Sequence, residues 1–300
     1  LTLYKLVAII YPQSNNEEKT MFREMTQAGT TALTNEQILM GAPSVFATAP
    51  HFEVSDRYGF MPTINVVDAL RSEGWMPVDA TQKNVRDASK RELTTHLLRF
   101  RRLDNDIQVG DSAVEIILKN AHDRSSAFVL HAGIFRMACA NGIVIADSTF
   151  NKLSVRHGKN IVGDIIEGSY QVIDEVPAIC EHVEGMQGTE LSPQERAIFA
   201  NTAYTFAHGE RDENELTSDN SIVNQVLRPK RHSDTGTDLW TTFNVVQENI
   251  IRGGVRTIKE GSNGRIRRNT KRAVNNIDKN LKLNKAIWEM ATQIKELKAA

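Results

Sequence analysis

The sequence predicts an α+β fold, an N-terminal antiparallel β-sheet with helices followed by a mainly helical C-terminal half. Between Leu93 and Ile145 apolar and polar residues alternate at the period of two that half-buried strands require. From Ile161 onward the apolar period lengthens to that of a helix. Asn141-Gly142 supplies the positive φ angles of a tight turn inside an apolar stretch, and is expected to fold that strand back onto Ile143 to Ile145.

Taken in order, Val54 to Phe60 reads as a strand, and Pro62 introduces a helix from about Asn65 to Glu73, stopped by Gly74. Trp75 to Thr81 is the next extended run. Leu93 to Arg102 continues the sheet with Leu97, Arg99 and Arg101 on one face and His96, Leu98 and Phe100 on the other. Val114, Ile116 and Leu118 alternate with Glu115, Ile117 and Lys119 in a further strand. The strand that follows contains Gly133, which suggests a bulge. At least four antiparallel strands result.

In the second half Ile161, Ile165, Ile166, Ile173, Val176, Ile179 and Val183 recur at helical spacing, and Pro177 is expected to kink or divide that helix. Ser192-Pro193 with Glu195 forms a capping box that opens another. Gly209 to Asp219 is acidic and reads as a loop. Trp240, Phe243, Val246 and Ile250 form the stripe of a third helix, while Gly253 to Asn269 is rich in glycine and arginine without apolar periodicity and reads as mobile. The last helix sets Ile277, Leu281, Asn284, Trp288 and Ala291 along one seam.

With 300 residues, 40% of them hydrophobic and 24% charged, the chain can bury a large core, which excludes disorder throughout. Two cysteines, Cys139 and Cys180, have no metal-ligand spacing and suit a reducing compartment, so the expected location is cytoplasmic. Leu1 to Ile10 is far shorter than the roughly 20 residues that span a bilayer, and no membrane role is expected. Residues 1–20 precede the first methionine, Met21, and are read as a leader or upstream segment outside the native fold. Residues 21–160 then form the sheet region, and residues 161–300 the helical region with its basic loop near 253–270.

A net charge of −1 conceals an asymmetry. From Arg228 to Ala300 there are 16 Lys and Arg against 7 Asp and Glu, a charge of +9, which leaves −10 on the first 227 residues. Such a region suits a polyanion, or the protein's own acidic body.

Catalytic patterns are weak. Eight histidines form no His-Glu-x-x-His or other compact ligand set, and no phosphate-binding glycine loop occurs, so no metal or cofactor is expected. Asp104, Asp106 and Asp111 with Glu115 and Lys119 faintly suggest a metal-dependent nuclease, though acid and lysine stand four apart rather than two. Cys139 with His131 or His157 would make a nucleophile and base only if the fold joined them. The ordinary alternatives, a polar loop and a core cysteine, are favoured.

Basic clusters lead further. Arg99, Arg101 and Arg102, then Arg136, then Arg156 and Lys159, and finally Arg265, Arg267 and Arg268 can pair with phosphates, while Tyr58 and Phe100 could stack on bases. The ordinary alternative is that these arginines serve internal ion pairs.

The segments APSVFATAP, SDRYGFMPT, LRSEGW, HLLRFRR, KNAHDRSSAF, GIFRMACANGIVI, VRH, DLWTTFNVVQENIIRGG and LNKAIWEMA, between about Gly41 and Met290, together resemble the phage- and plasmid-associated family named domain of unknown function 932. Ala121 and Ala138 stand where that pattern carries serine and valine. The resemblance implies a product of phages, plasmids or integrated elements that accompanies DNA-repair or anti-restriction functions. It implies no reaction and so places no catalytic residue here. In outline the expected architecture is also similar to phage single-strand-annealing recombinases, a likeness of fold alone.

The expectation is therefore a non-enzymatic protein that binds nucleic acid, with single-stranded DNA the first choice, and that can form a homo-oligomer. A second expectation is a protein-interaction factor acting on host defence or repair through the helices around Trp240 and Trp288. A nuclease or Cys-dependent hydrolase is the third.

Overall fold

The computed structural model describes residues 31–51, 60–87, 90–103, 108–109, 112–123, 125–136, 141–144, 153–155, 160–210, 213–261 and 263–299. Helix α1 (Asn35–Gly41) opens with a capping box in which Thr34 and Gln37 exchange side-chain and backbone hydrogen bonds. A 3-10 turn (Pro43–Phe46) and helix α2 (Thr63–Ser72) follow, and Gly74 at φ +84° reverses the chain into the sheet. The strand expected over residues 54–60 falls on residues 52–59, outside the described part, with Phe60 beyond it in no regular element.

Seven antiparallel strands form one sheet: β1 (Trp75–Gln82), β2 (His96–Arg102), β3 (Gln108–Val109), β4 (Ser112–Asn120), β5 (Phe128–Arg136), β6 (Asn141–Val144) and β7 (Leu153–Val155). Their order is β1-β2-β4-β5-β6, with β3 beside β4, and β7 following β6 along the outer edge of β5. Two sequence expectations are corrected here. Gly133 makes no bulge, because β4 and β5 keep an unbroken register from Ser112↔Arg136 to Lys119↔Val129; the irregularity lies in β1 between Pro77 and Asp79, where proline has no N–H for the ladder. Asn141 and Gly142 are not the turn either. They pair with Arg136 and Phe135 as residues of strand β6.

The helical half comprises α3 (Ile161–Gln187), α4 (Pro193–His208), α5 (Asp219–Val226), α6 (Leu239–Arg252) and α7 (Ile277–Ala299). Pro177 neither ends nor divides α3, which runs on through it with Val172, Ile179, Val183 and Met186 in the core; that packing outweighs one lost hydrogen bond. The capping box of Ser192 and Glu195 forms as read. Helix α5, capped by Ser218, was not read from the sequence, since only Ile222, Val223 and Val226 of its eight residues are apolar and buried. The segment near 253–270, read as a mobile basic loop, contains a ribbon of β8 (Arg256–Glu260) and β9 (Ile266–Thr270).

One core joins both halves. On the inner sheet face Leu98, Phe100, Val114, Ile116, Leu118, Leu130, Ala132 and Ile134 pack with Ile165, Val172, Phe243, Val246, Ile287 and Trp288 from the helices. Helix α6 is buried almost all round rather than along a single stripe. Several of its polar residues are paired: Gln247 donates to Asn284 Oδ1 (2.8 Å), Asn244 to the carbonyl of Trp240 (2.7 Å), and Asn249 to the carbonyls of Val226 (2.8 Å) and Arg228 (2.9 Å), while Thr242 Oγ1 and Asn244 Oδ1 have no partner among the described residues.

At the far end of the inner face, a sealed polar cluster ties together the 3-10 turn, α2, β2 and β4. Thr94 offers only a carbonyl to His96 Nδ1 (3.2 Å), so that nitrogen carries the hydrogen, and Ser44 Oγ lies 2.8 Å from the same atom. Nε2 of His96 then accepts from the Thr63 hydroxyl (2.9 Å). Thr63 in turn accepts from Asn120 Nδ2 (3.0 Å) and from His122 Nε2 (3.1 Å), so its hydroxyl is fully used. Burial, and secondarily the neighbouring His122, push the His96 pKa down to about 3.

Above the ordinary histidine pKa of 6.5, folded and unfolded chains both hold His96 neutral. Below it the unfolded chain takes up a proton that the folded chain refuses, so stability is expected to fall from about pH 6.5 toward pH 3 by up to ~1.4 kcal/mol per pH unit for this one group. Urea midpoints between pH 7.5 and 4.5 test this, and His96→Gln should give the shallower pH dependence.

Candidate nucleic-acid interface

The outer sheet face carries the arginines that the sequence offered as phosphate ligands, and there they meet carboxylates. Strand pairing sets Arg99 across from Asp79 on one side and next to Glu115 on the other. Glu115, 1% exposed, accepts from Arg99 Nε (2.7 Å) and NH2 (3.2 Å) and from Arg101 NH2 (2.7 Å), while Arg99 NH1 lies 3.8 Å from Asp79. Burial alone would weaken the charge on Arg99; Glu115 and Asp79 more than offset it and raise its pKa above the ordinary arginine value. Two cations and two anions leave this patch neutral.

The same face is also covered. Leu97 and Ile117 pack against Ile277 and Leu281 of α7, Lys119 pairs with Asp278, and Lys285 donates to His131 Nδ1 (3.3 Å). Arg99 and Arg101 are therefore corrected from phosphate ligands to internal ion partners. Phe100 is fully buried on the inner face and cannot stack on a base. Arg102 is half-buried with its guanidinium 6.0 Å over the Trp75 ring. Arg136 closes β5 with its side chain outside the described part, and Tyr58, Arg156 and Lys159 lie outside the described residues. The helices around Trp240 and Trp288 were the expected protein-contact surface; the two tryptophans themselves are core residues.

The C-terminal cations divide in two. Arg231 makes a two-point pair with Glu248 (2.7 and 2.9 Å), joined there by Arg252 (3.3 Å) and Lys230 (4.0 Å). Lys298 pairs with Glu195 (2.9 Å), Lys259 with Glu215 (4.0 Å), and Lys295 donates to His182 Nδ1 (2.8 Å). A second group has no carboxylate partner among the described residues. It comprises Arg256, Arg265, Arg267, Arg268 and Arg272 with Lys271, Lys279 and Lys282, on the ribbon or at the start of α7, and Arg228 just after α5.

The ribbon is held firmly on one side. Leu216 N donates to Ile258 O (2.8 Å), Glu260 N to Asn214 O (2.9 Å), and Ile258 N to Thr217 Oγ1 (2.7 Å), while Gln225 bonds both backbone groups of Arg256. Gly264 at φ +70° makes the turn. Among the described residues strand β9 pairs only with β8 and is exposed along its length, which displays Arg267 and Arg268 to solvent, with Arg265 exposed just before it. Beyond it Lys271 lies 5.7 Å over the Tyr204 ring, and Lys282 lies 5.8 Å over Phe206, an aromatic side chain 47% exposed. Lys279, Lys282 and Phe206 were missed as site residues in the sequence, since only packing of α4 against α7 brings them beside the ribbon.

The enzymatic alternatives find little here. No group of three or more His, Cys, Asp or Glu able to hold a metal occurs among the described residues. Asp104, Asp106, Asp111, Cys139 and His157 lie outside them, and Glu115 and Lys119 are drawn to different partners. The Ser44–His96 contact has the residue types of a nucleophile and base, but Nδ1 already carries its hydrogen toward Thr94 and both residues are sealed from solvent. It is a structural cluster.

Removing one partner of a buried ion group strands the others. Glu115→Ala is expected to cost roughly 3–5 kcal/mol in urea unfolding, whereas replacing Arg99, Arg101 and Glu115 together by Met, Met and Leu should recover most of that loss.

No helix among the described residues is long and apolar enough to cross a membrane. The family model described as domain of unknown function (DUF932) matches residues 50–288. The chain is similar to the UPF0380 proteins YafZ and YfjQ of Escherichia coli strain K12, each 39% identical over 259 residues, covering 86% of this chain and 90% of the relative. No solved structure matches. The segments that carried the sequence resemblance supply Ser44, Thr63, His96, Asn120 and His122 of the sealed cluster as well as α6 and Asn284, Trp288 and Ala291 of the α7 seam. By the extent of the family match and the identity to these relatives, the chain belongs to the domain of unknown function 932 family.

Proposed function

We propose that this protein binds nucleic acid, single strands by preference, through the β8–β9 ribbon and the adjoining start of α7. The observation that carries this reading is a cluster of unpaired cations: carboxylates occupy Arg231, Arg252 and Lys298 near the helical core, while Arg267 and Arg268 on the exposed strand β9, and Arg265 just before it, have none among the described residues. Guanidinium groups on a strand edge can follow a phosphate backbone by two-point hydrogen bonds. Phe206, exposed beside Lys282, is the aromatic side chain on which a base can stack. Lysine and arginine also protect sheet edges from aggregation, and on that plainer view the ribbon would show no salt-dependent affinity for polyanions.

A second reading, a partner protein, is favoured by Leu216, Ile258 and Ile266, which expose 54%, 40% and 68% of their surface around the same ribbon. Ile266→Ser would weaken such a partner while leaving phosphate contacts in place.

With one phosphate on each of Arg256, Arg265, Arg267, Arg268 and Arg272, the logarithm of affinity for single strands is expected to fall with the logarithm of salt at a slope of about −3.5, each contact contributing about −0.7. Changing Arg265, Arg267 and Arg268 together to Ala should flatten that slope by about 2 in fluorescence-anisotropy titrations. Unchanged affinity in that variant overturns the assignment to the ribbon.

A further inference from the structure

Between the C-terminal end of α4 and the start of α7 lies a cavity of about 340 Å³, lined by His208, Arg272, Ala273, Val274, Asn275, Asn276 and Lys279. We propose that this cavity is a subsite for one nucleotide unit, its phosphate held by Arg272 and Lys279 and its nucleoside in the remaining space. The inference rests on the nucleic-acid reading for its choice of ligand and adds a place where a single unit is gripped.

The lining contains two cations and no carboxylate. Guanidinium and ammonium together suit a phosphate, the first by a fixed fork of donors and the second as a mobile point charge. The volume sits at the lower end of the roughly 300–1,000 Å³ typical of small-ligand sites, more space than a bare inorganic anion fills.

The wall carrying Arg272 is fixed before any ligand arrives. Gly254 N donates to Lys271 O, Lys271 N to Val255 O and Val274 N to Ile251 O, each at 2.8 Å. Gly253, at φ +70°, lies so close beneath that an added Cβ would come within 2.6 Å of Lys271 O and 2.7 Å of the Arg272 carbonyl carbon. Asn276 accepts from Lys279 N (2.9 Å) and so caps α7, whose N-terminal dipole favours an anion on this side.

His208 supplies an independent indication. Its ring lies 4.8 Å from that of Tyr204, and its Nε2 is buried with no hydrogen-bond partner among the described residues. Burial first, then the Lys271 and Lys279 charges, push its pKa down to about 4, so a neutral ring faces a cationic cavity. A phosphate held by Arg272 and Lys279 would offset the lysine charges and raise that pKa.

The test is an NMR titration of the His208 ring in the full chain with adenosine monophosphate, adenosine and inorganic phosphate, alongside oligonucleotide binding. Adenosine monophosphate should raise the His208 pKa by at least one unit and bind more tightly than inorganic phosphate, and adenosine should do neither. Arg272→Gln and Lys279→Gln, both at exposed positions, should each weaken the mononucleotide by about tenfold, roughly one lost charge-assisted bond. An unmoved His208, equal responses to adenosine and its monophosphate, or affinity for inorganic phosphate equal to that for the nucleotide would overturn the subsite. Should oligonucleotides still bind with the expected salt slope, the subsite falls and the broader reading stands; a mononucleotide response without oligonucleotide binding gives the reverse.

Discussion

The carboxylate of Glu115 is the contact on which the architecture turns. It sits in the middle of the sheet, between two guanidinium groups that alternation necessarily brings to one face. Without it that face would be strongly positive and would repel the lysine-rich last helix. With it, Leu97 and Ile117 can receive Ile277 and Leu281, and the end of the chain closes over the sheet formed near its beginning. A buried ion group of this kind gives little net stability over an apolar equivalent, so its role here is to decide which surface is covered.

That decision explains where the sequence was readable and where it was not. The alternation of β2 and β4 and the seam of α7 were legible because each follows from period alone. Capping at Ser192 was equally plain, being complete within four residues. The fate of Arg99 and Arg101 was not legible, because their partner arrives from a different strand and nothing local reveals it. The ribbon was hidden for the opposite reason: β9 buries no side chain, so it lacks the apolar pattern by which strands are recognised, and backbone bonds to β8 alone hold it. That α3 runs undivided through Pro177 was not legible, because tertiary packing decides there.

The candidate site shows the same division. Arg265, Arg267 and Arg268 were visible as a cluster in the sequence and remain one in space. His208 precedes Lys279 by 71 residues and Phe206 precedes Lys282 by 76, and only the approach of α4 to α7 assembles them. The sealed histidine cluster likewise draws on four segments between Ser44 and His122, so a search for compact spacing passes over it. Its outcome is structural because its hydrogens are already committed.

The chain leaves the helical body at Gly253 and Gly254 and comes back beside the same two residues at Lys271 to Ala273. Everything between is thus a closed excursion with a shared base, and loop entropy grows only slowly with length. Relatives could extend or trim the tip between Glu260 and Ile266, trading reach and charge against one another, while α6 and α7 keep the same anchoring and the interior goes unaltered.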